Sequence, residues 1–202
     1  MQQPSIPPTW LDTAVAKSAA KHTNPIIQNC ARSATWAADG RVLGTLASAA
    51  WIISRAGNLR QQAVANHFVA TVALAVVTPK IMKRLADRTR PDRVVVGHDR
   101  HGVKTSGKPQ DSFPSGHSVH IGAVVSALSW AYPDKAVAFW GVGAVLAATR
   151  VGVLAHWTTD VLAGLTLGVT LENAVRRFSG TTSLSSTRTP DASRAYRRDR
   201  RS

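Results

Sequence analysis

The sequence predicts an all-α fold: a polytopic transmembrane helix bundle of about five spans, preceded by amphipathic N-terminal helices. The main observation is where charge is missing. Five stretches hold no Asp, Glu, Lys or Arg: 42–54, 61–79, 112–133, 136–149 and 161–171. The second observation is their make-up. All are rich in Ala and Gly with Ser and Thr, and small residues let membrane helices approach closely. Bulk composition is silent here, because 44% hydrophobic residues is ordinary for a soluble chain. The second and third stretches approach the roughly 20 residues that cross a bilayer. The other three are short and can span only if flanking charges sit at the interface or face a polar site.

Taken in order, residues 1–8 are Pro-rich and expected to be disordered. Thr9-Trp10-Leu11-Asp12 reads as a capping box that opens a helix, with Leu11, Val15 and Ala19 as its apolar stripe. Asn24-Pro25 is a second helix start, an N-cap followed by Pro at the first helical position. Ile27, Cys30, Ala31 and Ala34 continue an apolar face, and Asp39-Gly40 is expected to end it. Both helices are too polar to span. They are expected to lie on the membrane surface or to pack on the bundle. Segment 55–60 separates the first two spans, and Tyr132-Pro133-Asp134-Lys135 is a tight turn between the third and fourth. A long polar loop, 92–111, joins the second and third, and loops of that length are commonly functional. The expected organisation is thus 1–40 amphipathic helices, 41–178 membrane domain, and 179–202 a disordered basic tail.

The 202-residue chain is large enough for one domain and carries a net charge of +14. Such charge points to nucleic acid or to an anionic membrane surface. Membrane is the expected partner, since a nucleic-acid reading leaves the motifs below unexplained. Cys30 is the only cysteine, which excludes an internal disulfide and a thiolate metal cluster. The first residues lack the basic and apolar regions of a cleaved signal peptide.

Three motifs carry chemistry. In Lys83-x6-Arg90-Pro91 two cations stand seven apart. On a continuous helix they would be about 10 Å apart, too far to share a phosphate. Pro91 disfavours helix at Arg90, so the chain can leave the helix and bring Arg90 back toward Lys83. Taken alone, a Lys and an Arg near a membrane end are more often interfacial residues that snorkel. In Phe113-Pro114-Ser115-Gly116-His117, Pro then Ser suits a helix N-terminus, which offers free N–H groups and a positive dipole end to an anion. Gly116 permits close approach, Ser115 adds a hydroxyl, and His117 can donate a proton. A plain capped helix would look the same. In Arg150-x5-His156-x3-Asp160, the last two are four apart and would neighbour each other on a helix. An Asp on one ring nitrogen leaves the other as a nucleophile. A structural His–Asp bond is the plain alternative. Topology links the three: if the stretches alternate across a membrane, all three motifs fall on one face.

With these spacings the chain resembles the type 2 phosphatidic acid phosphatase (PAP2) superfamily over roughly 80–175. Order and internal spacing match. One departure is Thr149, where that family usually has Ser before the third-motif Arg. The resemblance implies a hydrolase of lipid-linked phosphate that needs neither metal nor other cofactor. His156 would attack phosphorus and form a phosphohistidine, Asp160 would orient it, and His117 would protonate the leaving oxygen. Lys83, Arg90, Ser115, Gly116 and Arg150 would hold the phosphoryl oxygens. Phosphoryl transfer is catalysed mainly by positioning and charge stabilisation, which suits this set. A metal site at His98, Asp99 and His101 is weighed and set aside, because two His and a carboxylate are commonly only a polar loop.

Two relatives of this reading stay open: a phosphotransferase on the same scaffold, and a vanadate-dependent haloperoxidase-like enzyme. For orientation, Lys and Arg number nine in 80–108 and eleven on the opposite side, a near tie. Lys83 and Arg90 are committed to phosphate, so the tail decides. The expectation is an inner-membrane protein with a cytoplasmic C-terminus and a periplasmic active site.

Overall fold

The computed structural model describes residues 4–96 and 106–179. The His98–His101 cluster and the tail arginines from Arg188 onward lie outside the described residues. Eight α-helices follow one another: α1 (Trp10–His22), α2 (Pro25–Thr35), α3 (Gly40–Ser54), α4 (Leu59–Met82), α5 (Pro91–Val94), α6 (Gly116–Ala131), α7 (Ala136–Gly152) and α8 (Thr158–Phe178). Each of the five charge-free stretches became one helix: α3, α4, α6, α7 and α8. Among the described residues one helix, α4, is by length and composition able to cross a membrane unaided.

Helix α6 is the central post, packed against α4, α7 and above all α8. Its contact with α8 is backbone to backbone. A Cβ on Gly168 would stand 2.2 Å from the Val119 carbonyl oxygen, and one on Gly164 2.7 Å from that of Ser115. Only glycine admits this approach. The outer faces are apolar: Ile52, Ile53, Leu74, Val77, Val142 and Val145 are exposed. Meanwhile His67 and Glu172 are buried. Exposed apolar faces over a core that also holds buried ionisable groups are unusual for a soluble bundle.

The caps at Thr9 and Asn24 form as the sequence predicts. Three other expectations are corrected. Asp39-Gly40 does not end a helix; the Asp39 carboxylate accepts from the N–H groups of Arg41 and Val42 and starts α3. The stripe Leu11, Val15, Ala19 is not the buried face of α1. Asp12 and Ala16 are buried instead, because Asp12 has a charged partner inside and turns the helix toward it. The described part of the Pro-rich start, residues 4–8, is tied to the fold rather than disordered. Ile6 N–H donates to the Asp87 carbonyl at 2.9 Å and Asp87 N–H to that of Pro4 at 3.1 Å. Extended Pro-rich backbone keeps its remaining polar groups free for such pairing.

Candidate active site

The segments leading out of α4 and into α6 run side by side. Arg88 N–H donates to the Gln110 carbonyl at 2.9 Å, and Ser112 N–H donates back to that of Arg88 at 3.1 Å. Helix α4 ends at Met82, and Arg90 is extended before Pro91 (φ −74°, ψ 149°), as proline requires. Arg90 does return toward Lys83. Lys83 Nζ donates to the Asp111 carbonyl at 3.2 Å and Arg90 Nη2 to the same oxygen at 2.9 Å. Burial holds the Lys83 ammonium below the usual lysine range, with Asp111 pulling the other way.

Arg90 is mostly committed to the protein. It donates to the carbonyls of Lys108 and Ala155 and to Ser106 Oγ as well as to Asp111. Of its five N–H groups one is left over. Arg150 is the opposite case. Its Nε is buried with no acceptor among the described residues.

Ser115 N-caps α6, accepting from Ser118 N–H at 3.4 Å and from Ser118 Oγ at 2.9 Å, and it is fully buried. The N–H groups of Gly116 and His117 take no acceptor among the described residues, leaving an open helix N-terminus. His117 stands on the first turn, its ring 6.3 Å from that of His120.

His156 does not share a helix with Asp160. Helix α8 starts at Thr158, and His156 sits in the turn before it. That turn closes when the Arg150 carbonyl accepts from the N–H groups of Ala155 and His156 at 3.2 and 3.3 Å. Leu154 reaches it at φ 54°, a left-handed conformation that costs about 1–2 kcal/mol for a residue with a side chain. Complete burial of Leu154 and the Asp92 N–H on its carbonyl hold it there.

The expected His156–Asp160 hydrogen bond is therefore not the one that forms. His156 Nδ1 meets the Ser112 carbonyl at 2.7 Å and is 3.9 Å from Asp160 Oδ2. A carbonyl only accepts, so Nδ1 carries the proton and Nε2 keeps its lone pair. Burial, then the positive fields of Arg90, Arg150 and Lys83, push the ring well below 6.5; the Ser112 bond opposes them. His156 is thus a neutral imidazole among three cations. Asp160 accepts instead from Trp157 N–H, Ser112 Oγ and Arg88.

Arg88 is the residue that sequence reasoning missed. It is buried and pairs with Asp160 on one side and with Asp12 of α1 at 2.7 Å on the other. Asp12 also accepts from the N–H and Oγ of Thr159 at 2.9 and 2.8 Å. Burial raises the Asp12 carboxyl, but bonds from Thr159 and Thr9 outweigh it and hold the group below the usual range. The available signal was alternation: in an extended stretch Arg88 and Arg90 point to one side and Thr89 to the other.

A family model described as "PAP2 superfamily" matches residues 65–183. The lipid A 1-phosphatases of Rhizobium etli and Rhizobium johnstonii are each 36% identical over 120 residues, 57% of this chain. The chain spans about half the length of these curated relatives, 50% and 48%. A crystal structure of Aquifex aeolicus LpxE superposes with TM-score 0.62 at 14% identity, over 84% of this chain and 96% of that one. A transmembrane PAP2-type phosphatidylglycerolphosphate phosphatase from Bacillus subtilis gives 0.57 at 18%, over 85% of each. At such identities the likeness is one of fold. The family match covers more than half of the chain and every motif described above, and the chain belongs to the PAP2 superfamily.

Proposed function

We propose that the chain is an integral-membrane phosphatase that hydrolyses a phosphomonoester or diphosphate of a lipid-linked substrate through a phosphohistidine. One observation carries the reading. A neutral His156 with a free Nε2 sits among Lys83, Arg90 and Arg150, and the buried Arg150 Nε has no acceptor among the described residues. A buried guanidinium N–H without an acceptor suits an anionic ligand. The lipid A 1-phosphatase relatives support a lipid phosphate as that ligand.

In this reading the phosphoryl oxygens lie on Arg150, Lys83, the last Arg90 N–H, and the N–H groups of Gly116 and His117. His156 Nε2 attacks phosphorus, the bond from phosphorus to the lipid oxygen breaks, and His117 gives that oxygen a proton. Water then attacks the phosphohistidine, His117 takes its proton, and the N–P bond breaks to release phosphate. Asp160 acts through Ser112 and Arg88 rather than on the ring. Ser115 acts as the cap that holds the α6 N-terminus open. Three cations and a helix terminus supply the charge stabilisation, which supports independence from metal ions.

The apolar outer faces support α3, α4, α6, α7 and α8 as five spans, with α1 and α2 at the interface. Ile26, Ile27 and Trp36 are exposed there and suit it. The active site then faces the periplasm and the C-terminus the cytoplasm. Rapid quenching under alkaline conditions with labelled substrate should trap a phosphoenzyme in wild type and none in His156→Ala, with chelators leaving turnover intact. A His156→Ala protein that still turns over would refute the reading.

A further inference from the structure

Helix α4 is 24 residues long, about 36 Å, so its start lies far from the catalytic end. At that distant end a cavity of about 710 Å³ opens between the start of α4 and the α6–α7 turn. The mechanism uses none of it. Its mouth carries Arg60 and Lys135, with Asp134 beside them, and its wall carries Val64, Phe68 and Leu128. Arg60 and Lys135 are both exposed.

His67 also lines this cavity and is only 2% exposed. Its Nε2 is 3.0 Å from Glu172 Oε1, and the other Glu172 oxygen accepts from Ser126 Oγ at 2.6 Å. His67 Nδ1 is buried with no hydrogen-bond partner among the described residues. Ionisable groups within spans are retained for function more often than for stability, and an orphaned polar atom among them is the stronger sign.

We infer that this cavity binds an anionic phospholipid of the leaflet opposite the active site. The phosphate sits between Arg60 and Lys135, an acyl chain follows Val64, Phe68 and Leu128, and the glycerol region meets His67 Nδ1. Basic residues at the headgroup level over an apolar wall suit a lipid better than a soluble anion, which leaves the wall and His67 unused. The inference rests on the membrane reading above and on no part of the catalytic one.

The test uses the full chain reconstituted in phosphatidylcholine bilayers doped with phosphatidylglycerol, then examined by native mass spectrometry. Wild type should retain phosphatidylglycerol, and Arg60→Gln/Lys135→Gln should lose retention about tenfold or more. Both residues are exposed, so the variant should fold, and its turnover in detergent should match wild type. His156→Ala should retain the lipid fully, which separates this site from the catalytic one. Equal retention by wild type and the double variant, or none by either, would overturn the inference. So would displacement by excess inorganic phosphate, which would make the site one for the free anion. A chain extracted without detergent would instead defeat the membrane reading.

Discussion

His156 Nδ1 and the Ser112 carbonyl oxygen are 2.7 Å apart, and that contact, not a carboxylate, sets which ring nitrogen is free to react. Asp160→Asn keeps the Ser112 backbone and so keeps the tautomer. A triad carboxylate that holds the ring directly is worth about 10⁴ in kcat. Here Asp160→Asn should cost about ten- to a hundredfold, while His156→Ala costs about a thousandfold or more. Steady-state kinetics on both variants checks this. Equal losses would mean that Asp160 does hold the ring during turnover.

Arg88 separates two buried carboxylates. Arg88→Met should leave both uncompensated and destabilise the fold by about 3–5 kcal/mol. Asp12→Asn alone should cost less, because Arg88 retains Asp160. The double variant should be less harmed than the sum of the two, since Asp12→Asn removes one of the stranded charges. Thermal unfolding in detergent, followed by tryptophan fluorescence, measures all three.

The pH dependence follows from His156. In the unfolded chain its imidazole takes up a proton near pH 6.5, whereas the folded ring stays neutral well below that. Above pH 6.5 both states are neutral and this group adds nothing. As pH falls below 6.5 only the unfolded state gains the proton, so stability falls. His156→Gln should lose less stability than wild type between about pH 7 and about pH 5. If His156 is the nucleophile, as proposed, the acid limb of kcat/KM should likewise lie below 6.5, because its ring stays unprotonated there.

Orientation is tested by labelling in intact cells. With Cys30 replaced, single cysteines at Ser106 and Ser186 should behave oppositely toward a membrane-impermeant maleimide. The first should react and the second should be spared. The reverse pattern would invert the topology and leave the chemistry untouched.

The helices were legible because absence of charge and local caps are short-range signals. Thr9, Asn24 and Pro91 each act within a few residues, and each did what its neighbours imply. Asp39-Gly40 was ambiguous for the same reason, since Asp before Gly closes one helix as readily as it caps the next. The set proposed to face phosphate could be named by type and spacing, but its bonding could not. Arg90 and Arg150 look alike in sequence; which one is already occupied depends on carbonyls of Lys108, Asp111 and Ala155 that no side-chain pattern announces. Arg88 was invisible because its partners lie 76 residues before and 72 after it.

That separation has a consequence for biosynthesis. Asp12 leaves the ribosome early, Arg88 follows after α4, and Asp160 comes only with α8. Until then Arg88 has one carboxylate where it needs two, and the Ser112 carbonyl has no imidazole to hold. The proposed catalytic pocket cannot be complete in any nascent chain that stops short of α8. On the proposed reading, a growing chain therefore stays inactive until α8 pairs with α1.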